Sequence, residues 1–249
     1  MMEVHNLSYR YTEEWVLKDI CFSLSKGEKA ALFGVNGSGK TSLLKLMDGL
    51  LFPQKGEVRF NGTKLTKSRL KEKHFRRGFR SSVGLLFQHP DVMLFNPTVY
   101  EELAFGPKQL GDPHAEEKIK YWADKLHLTP LLEQSPLKLS GGEKQRTALA
   151  SVLITGPEVL LLDEPFASLD PRATGWLIDF LHDLDVTFLV ALHNMDLARE
   201  ISHRVLVLSE KHELIFDGNM HEFADNRDLL VKAGLWHSHS GKEPHTHHF

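Results

Sequence analysis

The 249-residue sequence predicts an α/β fold: a sheet of buried strands surrounded by helices, an antiparallel region near the start and an inserted helical region. The apolar runs at 159–163 and 187–193 are continuous, as in parallel strands covered on both faces. Near the start, apolar and polar residues alternate, which is typical of antiparallel strands. Helical periodicity dominates from about 98 to 155. We therefore expect one domain over residues 1–234 and a tail over 235–249.

The composition narrows the class of protein. Hydrophobic residues make up 41% and charged residues 25% of the chain, which is typical of globular domains, and the net charge of −3 argues against bulk attraction to nucleic acid. A single cysteine, Cys21, excludes an internal disulfide and fits a reducing compartment. The sequence has neither an 18-residue apolar run nor the layout of a signal peptide. We expect a cytoplasmic protein that docks on other subunits if it serves a membrane process.

The other elements follow from local periodicity and turn residues. We expect strands at 4–11, 15–24, 29–34, 56–62 and 83–88, helices at 40–50 and 172–184, and a hairpin over 204–218. Four prolines are predicted to break the helical region: Pro107, Pro113, Pro130 and Pro136. Residues 64–80 are strongly basic, which is typical of a solvated loop or helix face and also fits a contact with acidic groups on a partner.

A glycine-rich loop predicts phosphate binding. Residues 34–41, GVNGSGKT, match the pattern G-x-x-x-x-G-K-[ST] between a predicted strand and a predicted helix. Backbone N–H groups of such a loop, together with the helix N-terminus, hold phosphate oxygens. Lys40 is expected to reach the β- and γ-phosphates, and the Thr41 hydroxyl to coordinate Mg²⁺. The predicted ATP-binding residues of this loop are Gly34, Asn36, Gly37, Ser38, Gly39, Lys40, Thr41 and Ser42.

Two carboxylates follow a buried strand in the segment VLLLDEP, residues 159–165. Ligands of open α/β sheets bind at the carboxyl ends of strands. Asp163 suits Mg²⁺, directly or through water, and Glu164 is placed to polarise an attacking water molecule. Such a pair is common at strand ends, but downstream of a phosphate loop it predicts catalysis.

The segment LSGGEKQR, residues 139–146, resembles the signature motif of ABC ATPases. Further motifs of that family occur in the family's order: the aromatic Tyr11, the Q-loop glutamine Gln88, the D-loop SLDP at 168–171 with Asp170, and the switch histidine His193. The resemblance covers residues 3 to about 218. It implies a P-loop NTPase (RecA-like) core with an antiparallel β subdomain and an inserted α-helical subdomain.

The resemblance also implies how these residues act. Ser140, Gly141 and Gly142 open a helix whose N-terminus would bind the γ-phosphate of ATP held by another subunit. Gln88 would contact Mg²⁺ and the attacking water and link the site to a membrane partner. His193 would contact the γ-phosphate, and Tyr11 would stack on adenine, although Tyr9 is an alternative.

The implied protein is an ATPase that binds ATP and Mg²⁺ and works as a homodimer, or as a heterodimer with a second ABC ATPase. It would lie on the cytoplasmic face of the cell membrane as a peripheral protein, bound to integral membrane subunits and not to nucleic acid. A soluble ABC ATPase of DNA repair or translation would have a coiled-coil insertion or tandem ATPase domains, and neither is present. In a non-hydrolysing module we would expect a substitution at Lys40, Ser140, Glu164 or His193, and all four residues are present.

Two features suggest a cargo. Residues 83–107 resemble the energy-coupling-factor importers, in particular cobalt and nickel uptake ATPases, but depart from them at Val92 and Met93. A vitamin or other micronutrient stays open as the alternative. Imidazoles in the tail suit Ni²⁺ and Co²⁺, although a solvated tail or a cloning remnant is the plainer interpretation. The tail histidines are His237, His239, His245, His247 and His248.

Overall fold

A computed structural model describes residues 1–167 and 169–235. The described residues form two compact units, one made of residues 1–71 together with 185–235, the other of residues 72–184. The strands are β1 (Met2–Arg10), β2 (Trp15–Leu24), β3 (Lys29–Phe33), β4 (Lys55–Phe60), β5 (Thr63–Lys64), β6 (Val83–Leu86), β7 (Val159–Asp163), β8 (Thr187–Leu192), β9 (Arg204–Leu208) and β10 (Leu214–Asn219). The helices are α1 (Lys40–Met47), α2 (Lys73–Ser82), α3 (Val99–Leu110), α4 (Ala115–Lys125), α5 (Gly141–Leu153), α6 (Pro171–Asp183), α7 (Met195–Ile201), α8 (Met220–Asp225) and α9 (Arg227–Lys232).

The first unit contains the predicted antiparallel region. Its strands run in the order β2-β1-β4-β5, all antiparallel. Ile20, Phe22 and Leu24 of β2 are buried and the residues between them are exposed, as the alternating pattern predicts. The turn between β4 and β5 contains Asn61 and Gly62, both with positive φ, which is the Asn-Gly turn that the sequence indicates.

The same unit holds the strand before the phosphate loop. β3 pairs in parallel with β8 on one side and with β9 on the other, and β9 forms the predicted hairpin with β10. All six residues of β8 are buried. This continuous burial confirms the prediction of central parallel strands, because strands covered on both faces cannot alternate.

The second unit combines two parallel strands with the helical insertion. β6 pairs with β7, and Gly84 of β6 lies directly against α5: a Cβ at this position would come within 2.4 Å of the side chain of Val152. The glycine therefore allows the helix to pack close to the strand. α3, α4 and α5 fall within the predicted helical region, and α6 follows close to the predicted bounds. The basic segment is partly helical, as α2.

Two local predictions were wrong. Pro107 does not break the helical region, because α3 continues to Leu110; Thr98 caps its N-terminus, and the proline falls in its last turns, where it removes a single hydrogen bond. α1 ends at Met47 and not at Leu50, because Gly49 takes a left-handed conformation with φ 69°. The other three prolines do lie outside α-helices.

Within residues 1–167 and 169–235, none of the helices is both long enough and apolar enough to cross a membrane.

Candidate nucleotide-binding site

The phosphate loop joins β3 to α1 in the first unit, as predicted. Gly39 precedes α1 with φ 109°, a left-handed conformation that L-residues with side chains rarely adopt. A Cβ on Gly39 would also come within 2.6 Å of the Val16 carbonyl oxygen. No side chain caps α1, and no acidic residue lies in its first turn. The loop thus requires glycine at position 39, and it leaves the N-terminal N–H groups of α1 to a ligand.

Two polar side chains of the loop have a geometry that suits an anion. Lys40 is buried, and its Nζ donates to the carbonyl oxygens of Gly34, at 2.7 Å, and Val35, at 3.4 Å, so a positive charge lies over the loop. Ser38 is buried too, and its Oγ has no hydrogen-bond partner among the described residues. Buried hydroxyls are normally bonded, so an unpartnered one beside a lysine fits a phosphate oxygen.

The structure distinguishes the two candidate aromatics. Tyr11 is 56% exposed, whereas Tyr9 is 7% exposed and burial raises the pKa of its phenol. The Tyr11 hydroxyl lies 3.1 Å from Ser42 Oγ, next to the start of α1, and its ring contacts Tyr9 edge to face. Tyr11 therefore offers a ring to a base near the phosphate loop, and Tyr9 supports it.

His193 lies at the same sheet edge as the phosphate loop. β3 and β8 are parallel neighbours with Phe33 opposite Leu192, so Gly34 and His193 both follow directly after a paired residue. The chain turns into α7 at Asn194, whose side-chain oxygen accepts hydrogen bonds from the Asp196 and Leu197 N–H groups. His193 thus lies at the carboxyl edge of the parallel strands of the first unit, as the strand pattern predicts.

Gln88, Asp163 and Glu164 lie at one edge of the second unit. β6 and β7 are parallel with Leu86 opposite Leu162, so Gln88 and the two carboxylates follow at the same carboxyl edge. Both carboxylate residues are buried. Glu164 has φ 46°, in the left-handed region, which for a residue other than glycine costs on the order of 1–3 kcal/mol. Such strain is concentrated at functional positions.

The signature segment begins α5. Ser140 is its N-cap and forms a complete capping box with Glu143. The Ser140 backbone N–H and hydroxyl donate to Glu143 Oε2 at 2.8 and 2.7 Å, and the Glu143 N–H donates back to Ser140 Oγ at 3.4 Å. These bonds hold the pKa of Glu143 below its usual range. Gly141 and Gly142 form the first turn, so the predicted helix N-terminus is present, and an acidic side chain of the chain itself caps it.

The D-loop is described only in part, because Ser168 lies outside the described residues. Asp170 is the N-cap of α6 and accepts a hydrogen bond of 2.8 Å from the Ala173 N–H. This side chain stabilises the start of α6. The tail histidines also lie outside the described residues. Within the described residues, no group of three or more His, Cys, Asp or Glu side chains could hold a metal ion.

Sequence reasoning missed three side chains that follow Gly142. Glu143 caps Ser140, Lys144 forms an ion pair with Asp91, and Gln145 donates to the Pro165 carbonyl oxygen. The Glu143 contact could have been found, because serine followed three residues later by glutamate is the capping-box pattern. The other two join segments distant in sequence, and no local pattern indicates them.

A match to a family model shows to which family the chain belongs. The model described as "ABC transporter" matches residues 17–167, a span that includes the phosphate loop, both carboxylates and the signature segment. The chain belongs to the ABC transporter family. It carries the ATP-binding domain of that family and is an ATPase. The P-loop NTPase fold predicted from the sequence is thereby confirmed.

Individual relatives cover nearly the whole chain. An ABC transporter ATP-binding protein of Methanosarcina acetivorans is 42% identical over 96% of this chain and 90% of its own length. The nickel import ATP-binding protein NikO of Rhodobacter capsulatus is 39% identical over 97% of this chain and 98% of its own length. Both similarities extend on either side of residues 17–167.

Two solved structures are similar in sequence and fold. CbiO1 of Clostridium perfringens, part of the ABC transporter complex CbiONQ, is 29% identical with a TM-score of 0.79, over 94% of each chain. A dimeric bacterial ABC transporter cassette is 25% identical with a TM-score of 0.76, over 88% of this chain and 99% of its own.

Proposed function

We propose that this ABC ATPase hydrolyses ATP at the interface of a dimer and thereby drives import of a transition-metal cation, nickel or cobalt, through separate membrane subunits. One observation carries the proposal. A single chain contains both an uncapped α1 N-terminus with Lys40 over the loop and an exposed signature serine, Ser140, at the start of α5. A chain with both halves of the site can supply each half to a partner.

The first unit supplies the binding half. The loop N–H groups and Lys40 would hold the phosphates, the Ser38 hydroxyl would bond one phosphate oxygen, and the Tyr11 ring would stack on the adenine. His193, at the same sheet edge, would contact the γ-phosphate. Binding and orientation of this kind are the main contributions of a protein to phosphoryl transfer.

The second unit supplies groups for hydrolysis. Gln88 and Asp163 are oxygen donors of the type that Mg²⁺ prefers, as is Thr41 of the first unit, and the buried Asp163 carboxylate suits a divalent cation. When bound, the ion would neutralise charge on the phosphates. Glu164 would accept a proton from the attacking water.

In the proposed dimer, Ser140 binds the γ-phosphate of the partner's ATP. Its hydroxyl and the first N–H groups of α5 are suitable donors for an anion at a helix N-terminus. The cassette of similar fold is dimeric, which supports a dimer of this chain. Identical chains would hold two complete sites, and Asp170 would lie near the shared nucleotide.

Trapping and mixing test the dimer. We expect Glu164→Gln to bind ATP, form a stable dimer in size-exclusion chromatography with ATP and Mg²⁺, and lose turnover, because it keeps the side-chain shape but removes the base. Unchanged turnover would refute the role of Glu164.

A mixture of Lys40→Ala and Ser140→Arg chains should regain turnover that neither has alone, because the mixed dimer contains one complete site. No recovery would refute the shared site.

The cargo proposal rests on the relatives. NikO is named a nickel import ATP-binding protein, and CbiO1 belongs to an ABC transporter complex. By this proposal the chain lies at the cytoplasmic face of the membrane and docks on integral membrane subunits. A vitamin or another micronutrient is the alternative cargo of energy-coupling-factor ATPases.

Calorimetry tests the metal assignment on the full chain. The five tail histidines predict Ni²⁺ or Co²⁺ binding that disappears on truncation after Gly234. Mg²⁺ is the matched control, because imidazole is a poor ligand for it. Equal Ni²⁺ binding by both forms would remove the tail from the proposal. Uptake of radioactive Ni²⁺ or Co²⁺ by cells that express the chain with its membrane subunits then tests the cargo itself.

A further inference from the structure

The start of α5 contacts two segments that are distant in sequence, through two of three consecutive polar side chains. Glu143 caps Ser140, Lys144 Nζ lies 2.6 Å from Asp91 Oδ1, and Gln145 Nε2 donates to the Pro165 carbonyl oxygen at 2.9 Å. All of these residues belong to the second unit. The contacts of Lys144 and Gln145 take no part in the proposed chemistry, so they need another explanation.

Each contacted segment adjoins a proposed catalytic group. Asp91 lies in a 3₁₀ helix, Pro90–Val92, three residues after Gln88. Pro165 directly follows Glu164. A displacement of the start of α5 would therefore act on Gln88 through the ion pair and on Glu164 through the Gln145 hydrogen bond.

The ion pair is the adjustable part of this connection. Gln145 is buried, and its side chain is held in the interior. Lys144 and Asp91 have side chains 20% and 63% exposed, so their contact can form and break without opening the core. Hydrogen bonding from Lys144 lowers the pKa of Asp91, because it favours the ionised carboxylate.

We propose that the Asp91–Lys144 ion pair couples the two nucleotides of the dimer. This inference rests on the proposed function. There, Gln88 and Glu164 of one chain act on the ATP of that chain, whereas Ser140 of the same chain acts on the ATP of the partner. When Ser140 binds the partner's phosphate, the start of α5 takes a defined position. Through the ion pair, this position of α5 determines the position of the segment after Gln88. Occupancy of one site thus prepares the other. Asp91 and Lys144 are positioning residues and contact neither nucleotide.

Steady-state ATP hydrolysis tests the coupling in the full chain. We expect the wild type to show a Hill coefficient between 1 and 2, the limit for two sites. Asp91→Ala and Lys144→Ala should each bring the Hill coefficient to about 1. Turnover at saturating ATP should fall by no more than about fivefold, and thermal unfolding should change little, because exposed ion pairs contribute little to stability.

A charge exchange separates coupling from other roles of the two residues. The double variant Asp91→Lys with Lys144→Asp should regain a Hill coefficient near that of the wild type, because it restores an ion pair of opposite polarity. If Lys144 instead attracted phosphate directly, Asp91→Ala would have no effect and the exchange would not restore cooperativity. Either of these results would overturn the inference.

A second ion pair in the same unit provides the matched control. Asp112 and Lys118 also lie 2.6 Å apart, and hydrogen bonding from Lys118 likewise lowers the pKa of Asp112. Asp112→Ala and Lys118→Ala should leave the Hill coefficient unchanged. An equal loss in these variants, or a wild type with a Hill coefficient of 1, would overturn the coupling. Failure of the proposed function has a different signature: a wild type without dimerisation or turnover.

Discussion

Two helices of this chain begin where a phosphate is expected, and they begin differently. α1 follows Gly39 without a side-chain cap and without an acidic residue in its first turn. α5 follows Ser140 with a capping box, so the Glu143 carboxylate bonds the donors that a phosphate would use. The N–H groups at the start of α1 are therefore available to an anion, whereas the Ser140 N–H and hydroxyl at the start of α5 already bond a side chain of the same helix.

The difference indicates a division of roles. An uncapped N-terminus with a lysine over the loop binds an anion without first giving up an internal bond. At α5 a phosphate must replace or rearrange the Glu143 carboxylate, and the two negative groups repel each other. We therefore expect α1 to provide most of the affinity for ATP, and α5 to contribute once the partner's phosphate has arrived.

The largest effect should come from the cation at the open helix. Lys40→Ala removes the buried charge over the loop, and we expect turnover to fall by at least about 10²-fold, as for other lost transition-state donors. ATP titration followed by fluorescence should show weakened binding in parallel. Lys45→Ala, in the last turn of the same helix, is the control and should bind ATP normally. Normal turnover of Lys40→Ala would contradict the assignment of the site.

A smaller loss is expected from the backbone at the same helix. Gly39→Ala places a Cβ 2.6 Å from the Val16 carbonyl and forces a left-handed alanine. The conformation alone costs about 1–2 kcal/mol, or roughly a tenfold loss of ATP affinity, and the overlap adds to it. Gly27→Ala is the matched control, because its φ is also positive, at 76°, but nothing lies within 4 Å of the added Cβ. Equal ATP affinity of both variants would show that the loop tolerates the change.

At the capped helix the first expected effect is on stability. Ser140→Ala removes the N-cap and should lower the free energy of unfolding by about 1 kcal/mol, within the usual range for such caps. Urea denaturation measures this, with Ser151→Ala, in the last turn of the same helix, as control. ATP affinity of the isolated chain should be unchanged, in contrast to Gly39→Ala. A large loss of affinity would contradict the proposed division of roles.

The smallest effect concerns Glu143 and pH. Because its folded-state pKa is lowered, its carboxylate stabilises the chain at pH values above the unfolded pKa of about 4.3, and this stabilisation is lost as pH falls through the folded pKa. The stability difference between wild type and Glu143→Ala should therefore be full at pH 7, about 0.5 kcal/mol, and shrink below pH ~4. Urea titrations at both pH values measure it. A difference that grows in acid would reverse the sign and contradict the capping box.

Much of the fold was predictable because its signals are local. The apolar runs of β7 and β8, the Asn61-Gly62 turn and the glycine-rich loop each lie within a few consecutive residues. Helix ends were less predictable, because they depend on single backbone angles such as that of Gly49 and on how much of a helix precedes a proline such as Pro107.

The sequence predicts candidate residues for the site, but it does not predict the contacts between the segments that carry them. Motifs mark Lys40, Ser140 and Glu164, since each chemistry needs one residue type at one position. The contact between Lys144 and Asp91 spans 53 residues and depends on the packing of α5 beside the segment after β6. Periodicity carries no information on such pairs, because a lysine and an aspartate are ordinary surface residue types when each is considered alone.

The left-handed backbone of Glu164 also bears on protein engineering. Glycine would adopt φ 46° at little cost, so we expect Glu164→Gly to unfold at a higher temperature than Glu164→Gln, which keeps the strain. A search for heat-resistant variants would therefore favour glycine at this position and discard the proposed base. Thermostability and turnover are opposed at position 164, and a library designed for robustness should keep it fixed.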